Sequence, residues 1–203
     1  MQHGLLFYWT VWTAWVVVTF LLPKERLRTE LAILILLVLI GSARTLTLYH
    51  FQLNAALPVI LIYCYWKLSG LKRSKLVYTV AVSHIVTLAY MGFSMYTLYD
   101  PAVLWIDRKW MTAVLIFLAV QFMVRSFVLR IVAAVIGTIH GNVLLALTLS
   151  GLSLSVLAGS LHFFDMLACC LSLMLAWKGY EQLTHYLHLF VKRTLLQKGH
   201  YPK

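Results

Sequence analysis

Long apolar runs separated by short positively charged clusters dominate this chain and restrict what it can fold into. The runs are Gly4–Leu22, Leu31–Tyr49, Phe51–Trp66, Leu76–Leu98, Trp110–Phe127, Ile131–Ser150 and Leu157–Trp177. A stretch of about 20 apolar residues crosses the hydrocarbon core of a bilayer as a helix. Only helices and closed barrels satisfy every backbone hydrogen bond in lipid. The chain is 62% hydrophobic and 11% charged, against about a quarter charged for a soluble domain. The sequence therefore predicts an all-α fold, a polytopic transmembrane helical bundle of about seven spans. Punctuation beyond Trp110 is weak. A six-span alternative stays open, with part of the segment 151–164 re-entrant or interfacial.

The basic clusters set an orientation. With the N-terminus outside, the inner set is Lys24, Arg26 and Arg28; Lys67, Lys72, Arg73 and Lys75; Arg125 and Arg130; and Lys178, Lys192, Arg193, Lys198 and Lys203. These are 14 of the 17 basic residues. Arg44, Arg108 and Lys109 remain for the outer side. Short cytoplasmic loops carry the excess of Lys and Arg, so the prediction is N-out and C-in. Aromatic residues agree: Tyr8, Trp9, Trp12, Trp105 and Trp110 fall at outer ends, and Tyr65, Trp66, Trp177 and Tyr180 at inner ends. Such rings favour the interface. Trp15 lies deeper and reads as a packing residue, and Lys67 can snorkel to lengthen the short third span.

The net charge of +11 comes from these loop clusters, not from a patch suited to nucleic acid, which is excluded as a partner. The first run has no basic segment before it and no small-residue cleavage site, so it reads as a span and not as a cleaved signal. Cys64, Cys169 and Cys170 sit inside apolar runs and read as small packing residues, not as a disulfide framework or a zinc site.

Two domains are expected: a membrane domain over residues 1–178 and a basic cytoplasmic tail over residues 179–203. In the tail Tyr180, Leu183, Leu187 and Phe190 form a helical stripe. The stripe predicts an amphipathic helix on the inner leaflet, with Lys192 and Arg193 meeting anionic lipid. A cytoplasmic extension of the last helix and a docking helix for a protein partner are the alternatives.

Ala133, Gly137 and Gly141 recur every fourth residue, as do Gly151, Ser155 and Gly159. Small residues at this period let helix backbones approach closely. Packing within the chain is the first reading of these sites, and a homodimer face the second. Pro58, inside the third run, predicts a kink.

Ionisable residues inside a bilayer need a reason. Arg44 and Asp165 lie about 20 and 18 Å from the inner face at the helical rise, and are expected to pair. His162, three residues before Asp165, could extend the pair into a network. A structural ion pair and a proton relay or substrate anchor both fit it. His84 and His140 lie about 12 and 14 Å from the inner face. They read first as core histidines and second as axial haem ligands. A metal cage of His140, His162 and Asp165 lacks the spacing of metal motifs. No metal or cofactor is predicted, and no phosphate loop, nucleophile elbow or paired carboxylates suggest catalysis.

The aromatic opening Phe7-Tyr8-Trp9 with Trp12 and Trp15, followed by the exit Leu22-Pro23-Lys24-Glu25-Arg26-Leu27-Arg28, resembles the small YphA-type integral membrane proteins of spore-forming Bacilli. Total length and the basic inner loops are similar too. The resemblance implies a multi-pass protein of a bacterial cytoplasmic membrane, with a role in envelope or spore-coat biology and no catalytic residues to carry over. The expected function is that of a non-enzymatic envelope, assembly or scaffold factor with lipid, a second copy or another membrane protein as partner. The alternative is a small proton-coupled transporter using Arg44 and Asp165.

Overall fold

Seven α-helices account for most of the described residues, and each overlaps one of the apolar runs. The computed structural model describes residues 4–48, 51–152 and 156–198, with side chains for 4–47, 51–152 and 156–189. The helices are α1 (Leu5–Phe20), α2 (Arg26–Ser42), α3 (Ala56–Ser69), α4 (Arg73–Tyr99), α5 (Arg108–Met123), α6 (Phe127–Gly151) and α7 (Leu161–Lys198). Three have the length and apolarity to cross a membrane: α4, α6 and the first 29 residues of α7, while α1 and α3 are shorter apolar helices.

The chain runs up and down, so alternate connections share one end of the bundle. At one end Lys67 pairs with Glu30 at 2.8 Å, the Tyr78 hydroxyl donates to the Met123 carbonyl, and Arg130 meets Glu181 at 3.5 Å. The clusters around Lys24–Arg28, Lys67–Lys75, Arg125–Arg130 and Lys178 fall at this end. The opposite end gathers the start of α1, the α2–α3 link, the α4–α5 link and the α6–α7 link.

That opposite end holds a feature the apolar runs concealed. Residues 45–54 do not continue α2 but form a hairpin, β1 (Thr45–Leu48) antiparallel to β2 (Phe51–Asn54). A third short strand, β3 (Leu157–Ala158), pairs parallel with β2. The all-α expectation is corrected to a helical bundle with a three-stranded cap, and the second span is shortened to end at Ser42. Thr45 and Thr47 alternate with Leu46 and Leu48, a period-2 pattern that suits a strand. Asn54 seals the corner: its Nδ2 donates to the Ser42 carbonyl at 3.0 Å, and its Oδ1 accepts from the Ala56 amide at 2.9 Å.

This boundary also overturns the expected kink. Because α3 begins at Ala56, Pro58 sits in its first turn. The missing amide there would have had no partner within the helix, so proline fits without bending it.

The tightest seam joins α4 to α6. A Cβ on Gly137 would lie 2.5 Å from Val86 Cβ and 2.6 Å from the Ser83 carbonyl oxygen. A Cβ on Gly141 would lie 2.8 Å from the Tyr90 ring. Ala133 is fully buried on the same face. Thr87 donates across the seam to the Gly137 carbonyl at 3.0 Å, so the small residues let a side-chain hydrogen bond reach the neighbouring backbone. The second small-residue run makes no such face. Gly151 ends α6, Ser155 lies outside the described residues, and Gly159 occupies a turn with φ of +79°.

The lateral surface is apolar, with Ile62, Val77, Leu88, Phe122 and Val128 all exposed, as lipid contact requires. The expected separate tail helix is instead continuous with α7, which is 38 residues long. At about 1.5 Å per residue such a helix outruns the roughly 30 Å hydrocarbon core. Phe190 and the basic residues after it lie outside the described side chains.

Candidate functional site

Asp165, the acid that sequence analysis singled out, is 2% exposed and sits near the start of α7 facing α1. Its Oδ2 accepts from the Gly4 amide at 2.8 Å and its Oδ1 from the Phe7 amide at 2.8 Å. Gly4 is the residue that begins α1 and has no side chain to satisfy the first amides. Asp165 performs that capping role from a distant part of the chain. Its negative charge also meets the positive end of the helix dipole. The Phe7 and Phe164 rings, 4.9 Å apart, close the seam beside it.

This arrangement corrects the expected Arg44–Asp165 pair. Arg44 is exposed in the link between α2 and β1, where its carbonyl accepts from the Ala55 amide at 3.0 Å. It forms no ion pair with Asp165. The depth argument assumed that α2 continues through Arg44. The helix stops at Ser42, and the hairpin carries Arg44 out of the bundle. His162 lines a cavity between the ends of α4, α5, α6 and α7.

His140 on α6 meets α3, where its Nε2 is 3.0 Å from the Tyr65 hydroxyl. His84 on α4 is exposed and donates through Nδ1 to the Val80 carbonyl of its own helix at 2.8 Å. Tyr65 reads from the sequence as an interfacial ring, so its contact with His140 is new. Among the described residues no group of three His, Cys, Asp or Glu side chains could hold a metal ion.

A cavity with several polar side chains lies where α4 ends, α5 begins, α6 ends and α7 begins. It has a volume of about 220 Å³, and its lining includes Tyr90, Ser94, Arg108, Lys109, Asn142 and His162. Asn142, buried in an otherwise apolar stretch, organises one wall. Its Oδ1 accepts from the Gly159 amide at 2.7 Å, which fixes its Nδ2 as donor to the Tyr90 hydroxyl at 3.0 Å. Gly159 is required there, because a Cβ would lie 2.8 Å from Asn54 Cβ and from Leu57 Cδ1 and its φ is positive. Arg108 donates a long bond, 3.4 Å, to the Ser94 carbonyl. Lys109 pairs with Asp107 at 3.4 Å, and Asp107 also caps α5 by accepting from the Lys109 amide at 3.1 Å. Burial pushes the Asp107 carboxyl up. The Lys109 amide and ammonium and the neighbouring His162 outweigh that and hold it below the usual range.

Sequence analysis placed Arg108 and Lys109 in an outer loop and passed over Ser94, Asn142 and Tyr90 as cavity residues. Asn142 was the legible signal: an amide in the middle of an apolar helix demands partners.

An apolar belt around a helical bundle, with polar groups gathered inside and at the two ends, is the architecture of an integral membrane protein. The chain matches the YphA-like integral membrane proteins over residues 3–200.

It belongs to that family.

The chain is also 28% identical over 182 residues to the uncharacterized protein YphA of Bacillus subtilis (strain 168), covering 87% of this chain and 88% of that relative. No solved structure matches the chain. Membership makes this a multi-pass membrane protein of a bacterium, in accord with the resemblance read from the aromatic opening and basic exit.

Proposed function

We propose that the protein is a non-enzymatic envelope or assembly factor. It spans the membrane seven times with its N-terminus outside, and its basic tail over residues 179–203 reaches anionic lipid on the inner side. The use made of Asp165 supports this reading above all. A proton relay or substrate anchor needs a carboxylate with oxygens free to exchange partners. Both oxygens of Asp165 are committed to backbone amides that start α1, which is a scaffold role. The gathering of four basic clusters at one end of the bundle supports the orientation. The shorter helices, α1, α2, α3 and α5, are compatible with spanning if the flanking aromatic and basic side chains reach the interface or the bilayer thins locally.

Reconstitution in liposomes under an imposed pH gradient tests the functional part. The wild-type chain is expected to leak protons no faster than empty vesicles. A leak that Asp165→Asn abolishes at equal protein incorporation would replace the scaffold reading with a transport one. Reporter fusions at Lys72 and at Asp107 test the orientation, with Lys72 expected inside and Asp107 outside.

A further inference from the structure

We propose that the cavity between α4, α5, α6 and α7 binds a phosphate-type oxyanion, presented either by a phospholipid headgroup or as free phosphate. Arg108 is the principal cationic ligand, supported by Lys109 and His162.

Arg108 is half-buried, and its single hydrogen bond to protein, to the Ser94 carbonyl, is 3.4 Å long. No carboxylate lies within ion-pair distance of it among the described residues. A guanidinium carries five donors in a fork that matches a phosphate. Lys109, with a side chain 12% exposed, has Asp107 at 3.4 Å, and Asp107 itself is the more exposed partner at 39%. One carboxylate therefore stands beside two permanent cations, and His162 adds a third basic group to the wall. Cations held in a membrane protein away from bulk water call for a counter-charge.

Ser94 is 1% exposed and lines the same cavity. It sits beside the Tyr90 hydroxyl, yet its Oγ makes no hydrogen bond of acceptable geometry. A buried hydroxyl without a partner is costly and rare. The Tyr90 hydroxyl accepts from Asn142 and neighbours Ser94. Both hydroxyl-bearing residues and Arg108 line the same cavity.

A volume of about 220 Å³ exceeds the roughly 30 Å³ share of a single water several-fold and accommodates a phosphate group. Thr112 and Ser160 add hydroxyls to the lining, and Leu145, Leu149, Phe163 and Met166 form an apolar stretch of wall, which suits the chain-bearing side of a lipid.

The test uses the full-length protein purified in detergent, followed by its melting midpoint at constant ionic strength. Three probes are titrated: inorganic phosphate, dihexanoyl phosphatidylglycerol, and dihexanoylglycerol, which has the same chains without phosphate. A saturable rise with phosphate and with the phosphatidylglycerol identifies a site for the free anion. A rise with the phosphatidylglycerol alone identifies a headgroup site. No rise with either, or an equal rise with dihexanoylglycerol, overturns the proposal. Arg108→Gln is expected to weaken the response at least about tenfold, as loss of a charged bidentate ligand would; an unchanged affinity overturns it. Should that variant fail to fold, acylation of Lys109 in the wild-type chain decides. The binding anion should slow it while leaving Lys75, at the other end of the bundle, unaffected, and equal rates overturn the proposal.

Discussion

Replacing Asp165 with alanine removes two hydrogen bonds to a charged acceptor, each worth about 1.5–3 kcal/mol. It also leaves the Gly4 and Phe7 amides buried without partners, since residue 165 is 2% exposed and water has little access. Against that, the variant no longer buries a carboxylate, which returns part of the loss. The net expectation is a destabilisation of about 3–5 kcal/mol. For a chain of this size each kcal/mol moves the melting midpoint by roughly 2–4 °C, so a drop of at least about 6 °C is expected in detergent. Asp165→Asn keeps one acceptor oxygen and turns an amide NH2 toward a backbone donor, so it should fall between wild type and Asp165→Ala. Arg44→Ala, at an exposed site outside the pair, should change stability by less than about 0.5 kcal/mol. The double variant should equal the sum of the singles. A midpoint for Asp165→Ala within about 2 °C of wild type, or a double variant no worse than Asp165→Ala combined with a damaging Arg44→Ala, would refute the capping account and restore the ion pair.

Two further expectations concern the seam and the acid at the start of α5. Gly137→Ala places a methyl group 2.5 Å from Val86 Cβ and should cost about 1–3 kcal/mol, whereas Gly92→Ala, with nothing within 4 Å, should be neutral or slightly stabilising; comparable melting midpoints for the two would contradict the packing described. Because the folded state holds the Asp107 carboxyl below its unfolded value, its contribution is present above the ordinary carboxylate range and is lost as pH falls through the depressed value. Melting curves from neutral to strongly acidic pH should therefore show a shallower acid-side loss in Asp107→Asn than in wild type.

The membrane class, the helix positions and the family were legible because they rest on long-range averages: apolar length, loop charge and aromatic placement. The hairpin at 45–54 was not, since Leu46, Leu48 and Leu53 continue the apolar run and a hydropathy average cannot separate period 2 from period 3.6 over four residues. Missing it moved Arg44 into the membrane on paper and created a partner for Asp165. The same boundary error turned Pro58 from a first-turn residue into a supposed kink. Depth along a helix axis says nothing about direction around it, which is why the contact between Tyr65 and His140 was not legible. The cavity was hidden for a further reason. Its residues come from four helix ends, and no local pattern in the sequence joins Ser94 to Arg108, Asn142 and His162.

The bond between Asp165 and the opening of α1 spans 161 residues. A ribosome releases Gly4 long before it makes the carboxylate that Gly4 requires. The first helix consequently keeps open amides until the last one is in place. A truncated chain lacking α7 exposes that defect at its very beginning, so one contact reports whether synthesis has been finished.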